Sequence, residues 1–120
     1  MDNCLFCKII KGEIPSNKVY EDDEILAFKD INPIAPVHIL IIPKKHYKDL
    51  DDIDEKTLTH IMKAAKIVKN KLEEKLNIDG ITLVQNNGSI QEIKHYHLHL
   101  KPYYRKGLIM NIEKVYELLS

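Results

Sequence analysis

Apolar positions recur along this chain with two different periods. Between residues 58 and 76, Leu58, Ile61, Met62, Ala65, Val68, Leu72 and Leu76 return every three or four residues, with Lys and Glu between them. That spacing lays one apolar stripe along a helix of about six turns, for which the acidic run at 51–54 offers N-caps and 77–80 the stop. Elsewhere the pattern is that of strands. Residues 18–20 and 24–30 flank Asp22-Asp23, turn chemistry that predicts a hairpin. Residues 37–42 form a β-branched apolar run closed by Pro43, the pattern of a central strand. Residues 81–84 and 93–100 predict two more strands around an Asn86-Asn87-Gly88 turn. Short helices are expected at 4–11, stopped by Gly12 and Pro15, and at 110–119, with Ile112, Val115, Tyr116 and Leu119 inward. Consecutive strands can pair antiparallel while the long helix covers one face. The predicted class is α+β, a mainly antiparallel five-stranded sheet with one long helix and short terminal helices.

Composition narrows the class of partner. A chain of 120 residues makes one domain with a core of its own. Lys plus Arg equals Asp plus Glu at 18 each, and Arg105 is the single arginine. A balanced charge excludes a protein that coats nucleic acid, which needs a net basic field. The longest aliphatic run, Ile39-Leu40-Ile41-Ile42, is far short of the ~20 residues of a spanning helix, so no membrane association is expected. The Met-Asp-Asn-Cys start lacks a basic and then apolar leader pattern, and the expectation is a cytoplasmic protein with reduced cysteines.

Three of the six histidines fall in His95-Tyr96-His97-Leu98-His99-Leu100. On a strand, alternate side chains share a face, so the three imidazoles project together, ~7 Å from one to the next, and Tyr96, Leu98 and Leu100 face the helix. Two chemistries use such a row. A metal can take three imidazoles, or one neutral imidazole can attack phosphorus while its neighbours orient and protonate. The Asn86-Asn87-Gly88 turn a few residues upstream can present amide and N–H donors to an anion near the same place. Cys4-Leu5-Phe6-Cys7 has the C-x2-C spacing of a zinc knuckle, which needs two further ligands that His residues can supply. An inert buried pair and a thiol–disulfide site are the other readings, the latter without the βαβ context it usually occupies.

The histidine row resembles the motif of the histidine-triad family, His-φ-His-φ-His-φ-φ, and departs from it only at Lys101, where the family usually has an apolar residue. The segments Cys-Leu-Phe-Cys-Lys-Ile-Ile-Lys-Gly-Glu-Ile-Pro at 4–15, Val-Tyr-Glu-Asp-Asp at 19–23, Ala-Phe-Lys-Asp-Ile-Asn-Pro at 27–33 and His-Ile-Leu-Ile-Ile-Pro-Lys-Lys-His at 38–46 are similar to its nucleotide-binding, protein kinase C inhibitor-like branch. The resemblance implies a single domain over 1–120, with a family core at 1–103 and an extension at 104–120 carrying the terminal helix. It implies a homodimer and a hydrolase or transferase acting at the α-phosphate of purine nucleotides, AMP or GMP derivatives, with nucleoside phosphoramidates foremost. His97 would attack phosphorus to give a nucleotidyl-histidine, and His99 would contact the phosphate and help the leaving group. Asp30 would hold the ribose, and Leu5, Phe6, Ile9, Phe28, Ile31 and Leu40 would wall the purine. Asn86, Gln91 and Glu92 fall on the phosphate side. A structural zinc would sit on Cys4, Cys7, His46 and His95. His38 is expected to be a structural, hydrogen-bonded residue and His60 a solvated one.

The family usually reads Gly-Gln-Ser or Gly-Gln-Thr before the triad. Here the segment is Ile90-Gln91-Glu92 after a shorter turn, so a carboxylate replaces a hydroxyl on the phosphate side. A regulatory module with little turnover, a dinucleoside polyphosphate hydrolase and a hydrolase with an open catalytic zinc are the competing functions.

Overall fold

The computed structural model describes residues 4–30 and 38–104. Helix α1 (Leu5–Ile10) is followed by strands β1 (Lys18–Glu21), β2 (Ile25–Lys29) and β3 (Ile39–Pro43), helix α2 (Glu55–Lys75), and strands β4 (Ile78–Val84) and β5 (Leu98–Tyr104), with a 3₁₀ turn at Gly88–Ile90. The five strands form one antiparallel sheet in the order β1-β2-β3-β5-β4. The α+β expectation holds. Ile31 and the proposed terminal helix at 110–119 lie outside the described residues.

Strands β2 and β3 read as near-continuous apolar runs because both of their faces are covered. Ile25, Ala27, Ile39 and Ile41 join Leu98 and Leu100 of β5 against Ile61, Ala64, Ala65, Val68 and Leu72 of α2. Leu26, Phe28, Leu40 and Ile42 turn the other way and pack under Phe6 and Ile9 of α1. Two core layers therefore flank the sheet, and the α1 layer shares its face with the histidines. Asp54 caps α2 by accepting from the Thr57 N–H at 2.7 Å and also receives the Tyr47 hydroxyl at 3.1 Å.

Four sequence readings are corrected. Met62 is 44% exposed, and Ala64 takes the buried place it was expected to hold. The stripe facing the sheet runs through Ile61, Ala65, Val68 and Leu72, and Met62 stands one residue, ~100°, round from it. Gly80 does not end the helix. It lies inside β4, where the register shifts between Ile78 and Gly80. The last strand begins at Leu98 and not at Ile93, because the ladder to β3 ends at Ile41 opposite Leu98 and the Tyr96 N–H turns aside to the Tyr47 carbonyl at 2.6 Å. His60 is not simply solvated. Its Nε2 lies 2.8 Å from Asp22 and its Nδ1 3.0 Å from Glu24.

Candidate active site and metal centre

The alternation of the triad survives although only His99 lies within β5. Tyr96, Leu98 and Leu100 are buried in the α2 layer. His97 and His99 meet edge to face with centroids 4.8 Å apart, and Phe6 of α1 packs on His97 at 5.0 Å. His99 stands opposite Leu40 across the β3–β5 ladder, which brings it to the α1 face.

A backbone atom sets the tautomer of His97. Its Nδ1 is 2.7 Å from the His95 carbonyl oxygen. A carbonyl only accepts, so Nδ1 carries the hydrogen and Nε2 keeps the lone pair. Burial lowers the His97 pKa, against the opposing effects of that hydrogen bond and of the Asp30 and Glu92 charges, so a neutral ring is the resting state.

His38 adds a fourth imidazole to the group. Its Nε2 lies 2.7 Å from His99 Nδ1, and its Nδ1 lies 3.3 Å from an Asp30 carboxylate oxygen, close enough for attraction but without hydrogen-bond alignment. The carboxylate favours the proton on His38 Nδ1. His99 Nδ1–H then donates to His38 Nε2, and His99 Nε2, buried and without a partner among the described residues, keeps a lone pair. Burial is also the main reason that the His99 pKa falls to about 4. The expectation that His38 is hydrogen-bonded is met, but its partner places it in the site. The available signal was parity, since His38 and Leu40 are two apart on one strand.

Two cavities meet at these histidines. The first, about 180 Å³, is walled by Leu5, Phe6, Ile9, Phe28, Leu40 and Ile93, with Asp30, Glu92, His97 and His99 at its polar end. The second, about 340 Å³, has those same four polar residues together with His38, Asn86, Ile90 and Lys101. Of the residues expected to bind substrate, Leu5, Phe6, Ile9, Phe28, Asp30, Leu40, Asn86 and Glu92 are therefore brought together around His97 and His99. Gln91 is placed differently. It lines neither cavity, is 2% exposed, and donates through Nε2 to the Lys48 carbonyl at 2.6 Å, so it clamps the 90–92 segment to the loop after β3. Ile93, Ile90 and Lys101 line the cavities without having been singled out as substrate contacts. Lys101 was legible as a departure from the motif but not as a cavity residue.

Behind His97, the ligand atoms of Cys4, Cys7, His46 and His95 all lie within 4.8 Å of one another. Cys4 Sγ is 3.3 Å and Cys7 Sγ 3.5 Å from His95 Nδ1, and Cys7 Sγ is 3.3 Å from His46 Nδ1. Zinc arms of ~2.3 Å to sulfur and ~2.1 Å to nitrogen at tetrahedral angles put S and N ~3.6 Å apart, so the spacing fits. The tautomer fits as well. His95 Nε2–H donates to the Pro43 carbonyl at 2.8 Å, which leaves the Nδ1 lone pair toward the sulfurs. Burial holds the His95 pKa at about 4, and burial together with the neighbouring Cys4 pushes the Cys7 thiol up to about 11. Two sulfurs and two imidazoles, with Cys7 and His95 buried and Cys4 and His46 partly so, form a donor set for a metal.

The HIT domain family model matches residues 11–106, which includes the triad. This chain belongs to the HIT domain family. The two cysteines lie ahead of the matched span. An uncharacterized HIT-like protein of Methanocaldococcus jannaschii is 47% identical over 103 residues, 84% of this chain and 79% of that one. The adenosine 5'-monophosphoramidase HNT1 of Saccharomyces cerevisiae is 48% identical over 101 residues, 82% of this chain and 61% of that one. The crystal structure of a Zn-bound histidine triad family protein from Mycobacterium smegmatis superposes with a TM-score of 0.88 at 31% identity, covering 98% of this chain and 91% of that one. Among the described residues of this HIT protein, no helix is long and apolar enough to cross a membrane.

Proposed function

We propose that this HIT protein hydrolyses purine nucleoside phosphoramidates at the α-phosphate through a nucleotidyl-His97 intermediate. One observation carries the reading: a buried neutral imidazole, its Nδ1 proton held by the His95 carbonyl, stands where an apolar cavity meets a polar one. The apolar cavity takes the base between Phe6, Ile9, Phe28 and Leu40, with Leu5 completing the wall and Asp30 on the ribose. The polar cavity takes the leaving group, with Asn86 and Glu92 on the phosphate side and Gln91 bracing their segment. The similarity to a phosphoramidase supports this choice of bond.

The step is a double displacement. His97 Nε2 bonds to phosphorus as the P–N bond breaks, and the departing amine takes a proton from solvent. Water then displaces His97, its proton passing to His99 Nε2 and back to solvent, and a nucleoside monophosphate leaves. A lone pair on His99 Nε2 suits this second step better than protonation of the leaving group.

Cys4, Cys7, His46 and His95 would hold zinc in a structural role. Four protein ligands leave no open position on the ion, so it supplies only a fixed scaffold behind the triad. The working form is proposed to be a cytoplasmic homodimer, completed along a sheet edge.

The test is single-turnover trapping with a radiolabelled adenosine phosphoramidate, quenched in mild base, where phosphohistidine bonds survive. Label should stay on the wild-type chain and be absent from His97→Ala, which should still bind AMP while losing at least ~10³-fold in turnover. A His97→Ala variant that keeps a substantial rate, or a wild type that never carries label or turns over, overturns the proposal.

A further inference from the structure

The two cavities differ in the placement of charge. Glu92 belongs to both, so its carboxylate stands beside the junction at His97. Lys101 belongs to the outer cavity alone. Strand geometry explains why. Lys101 follows His99 by two residues on β5, opposite Thr82 of β4, and so faces the same side ~7 Å further along the strand. It is half-buried, and among the described residues neither Lys101 nor Glu92 has an ion-pair partner. Its charge nevertheless reaches the site, since after burial and neighbouring groups it is among the causes that lower the pKa of His38 and His99. The Asp30 and Glu92 carboxylates line the same cavity, but among the described residues Lys101 pairs with neither, and an ammonium so placed favours an anionic group that reaches it.

The order of the charges restricts the leaving group. An anion directly attached at the scissile bond, as in a dinucleoside polyphosphate, meets Glu92. A simple amine avoids Glu92 but leaves Lys101 without a partner. An amine that carries a carboxylate a short distance beyond its nitrogen satisfies both, because nitrogen departs beside Glu92 while the carboxylate extends toward the ammonium. We propose that Lys101 is a specificity-determining residue that selects nucleoside phosphoramidates whose leaving amine bears a free carboxylate, the N-linked α-amino acids. The proposal rests on the reading above, in which His97 attacks the α-phosphate and the outer cavity holds the leaving group.

The experiment compares adenosine phosphoramidates of alanine and of alanine methyl ester, which differ in one charge and little in shape, with that of ethylamine as reference. The readout is the ratio of kcat/KM for free acid over ester within each protein, so a general change in activity cancels. Wild type should favour the acid by about tenfold, Lys101→Met should bring the ratio near one, and Lys101→Arg should restore most of it. The wild-type preference should also shrink as salt is raised. Lys101→Gln serves as a second neutral variant should Lys101→Met fail to fold. Equal ratios in wild type and the neutral variants, with turnover of all three compounds still dependent on His97, would overturn the role of Lys101 and leave the phosphoramidase reading intact. No turnover of any of the three by wild type would overturn both.

Discussion

A backbone carbonyl two residues away decides what His97 can do. The His95 carbonyl fixes the proton on Nδ1, while the side chain of the same His95 is fixed through the Pro43 carbonyl with its Nδ1 toward the two sulfurs. One residue thus contributes its main chain to the candidate nucleophile and its ring to the candidate metal centre. Glu92 is exposed but lines both cavities, and in the proposed reaction it would act by charge. A carboxylate beside the scissile bond opposes a polyphosphate leaving group and tolerates an amine. Glu92→Ser should shift the kcat/KM ratio of a dinucleoside polyphosphate to an ethylamine phosphoramidate toward the polyphosphate by about tenfold, solvent screening having reduced the bare Coulomb term. An unchanged ratio would remove Glu92 from leaving-group selection.

The elements that carry these residues owe their stability to burial on both faces of the sheet. Ile61 is 0% exposed and Met62 44% exposed on the same turn of α2. Ile61→Ala should cost about 2–4 kcal/mol in urea unfolding, whereas Met62→Ala should stay within about 0.5 kcal/mol. Equal losses would mean that the helix sits rotated on the sheet. At its N-terminal half, α2 is tied to the β1–β2 turn through His60. Carboxylates only accept, so with Asp22 on one nitrogen and Glu24 on the other both nitrogens donate and the ring is an imidazolium. The hydrogen bonds to Asp22 and then Glu24 raise the His60 pKa above 6.5. Burial would raise the pKa of Asp22, but hydrogen bonds from Tyr20, the Glu24 N–H, His60 and the Ile25 N–H bring it down to about 2. A raised His pKa stabilises the fold below pH 6.5 and loses that contribution as pH climbs through the higher folded value. A lowered Asp pKa stabilises above pH 3.8 and loses its contribution as pH falls toward 2. The Tm difference between wild type and His60→Gln should therefore be largest between pH 4 and 6.5, at no more than ~4 °C for a partly exposed cluster, and should narrow above pH 8. A difference that widens with pH would contradict the ion-pair account.

For the whole molecule, the Cys4, Cys7, His46 and His95 cluster is the tie between distant parts of the chain. It gathers the N-cap and first turn of α1, the loop after β3 and the segment leading into β5. Protein purified without added metal should hold close to one zinc per chain, and a strong chelator should lower Tm by ~5 °C or more. Absence of zinc with an unchanged melting curve would show that the four donors hold each other without an ion. The sheet has two edges, β1 and β4, and Leu83 of β4 is 38% exposed. Light scattering should report twice the mass of one chain, and a monomeric mass at working concentration would refute the dimer.

Whatever depends on local geometry was legible in the sequence. Periods of two and of three to four residues predict the strands and α2, because side chains must alternate on a pleat and recur on a helix face. The C-x2-C spacing and the three histidines at alternate positions predict which side chains share a place, and the resemblance to the family supplied the other two candidate ligands. The end of a strand was not legible in this way. It depends on where the pairing stops: the β3–β5 ladder ends at the Ile41–Leu98 pair although β3 itself runs on to Pro43 beside β2, because the Tyr96 N–H turns to the Tyr47 carbonyl. Nor was the width of the α2 stripe, which the sheet beneath it sets. The tautomers of His95 and His99, the retreat of Gln91 from the site to the Lys48 carbonyl, and the meeting of His38 with His99 across 61 positions of chain are likewise decisions of the tertiary structure. A hydrogen bond chooses among acceptors by distance and direction in space, and only the packed sheet brings those acceptors within reach.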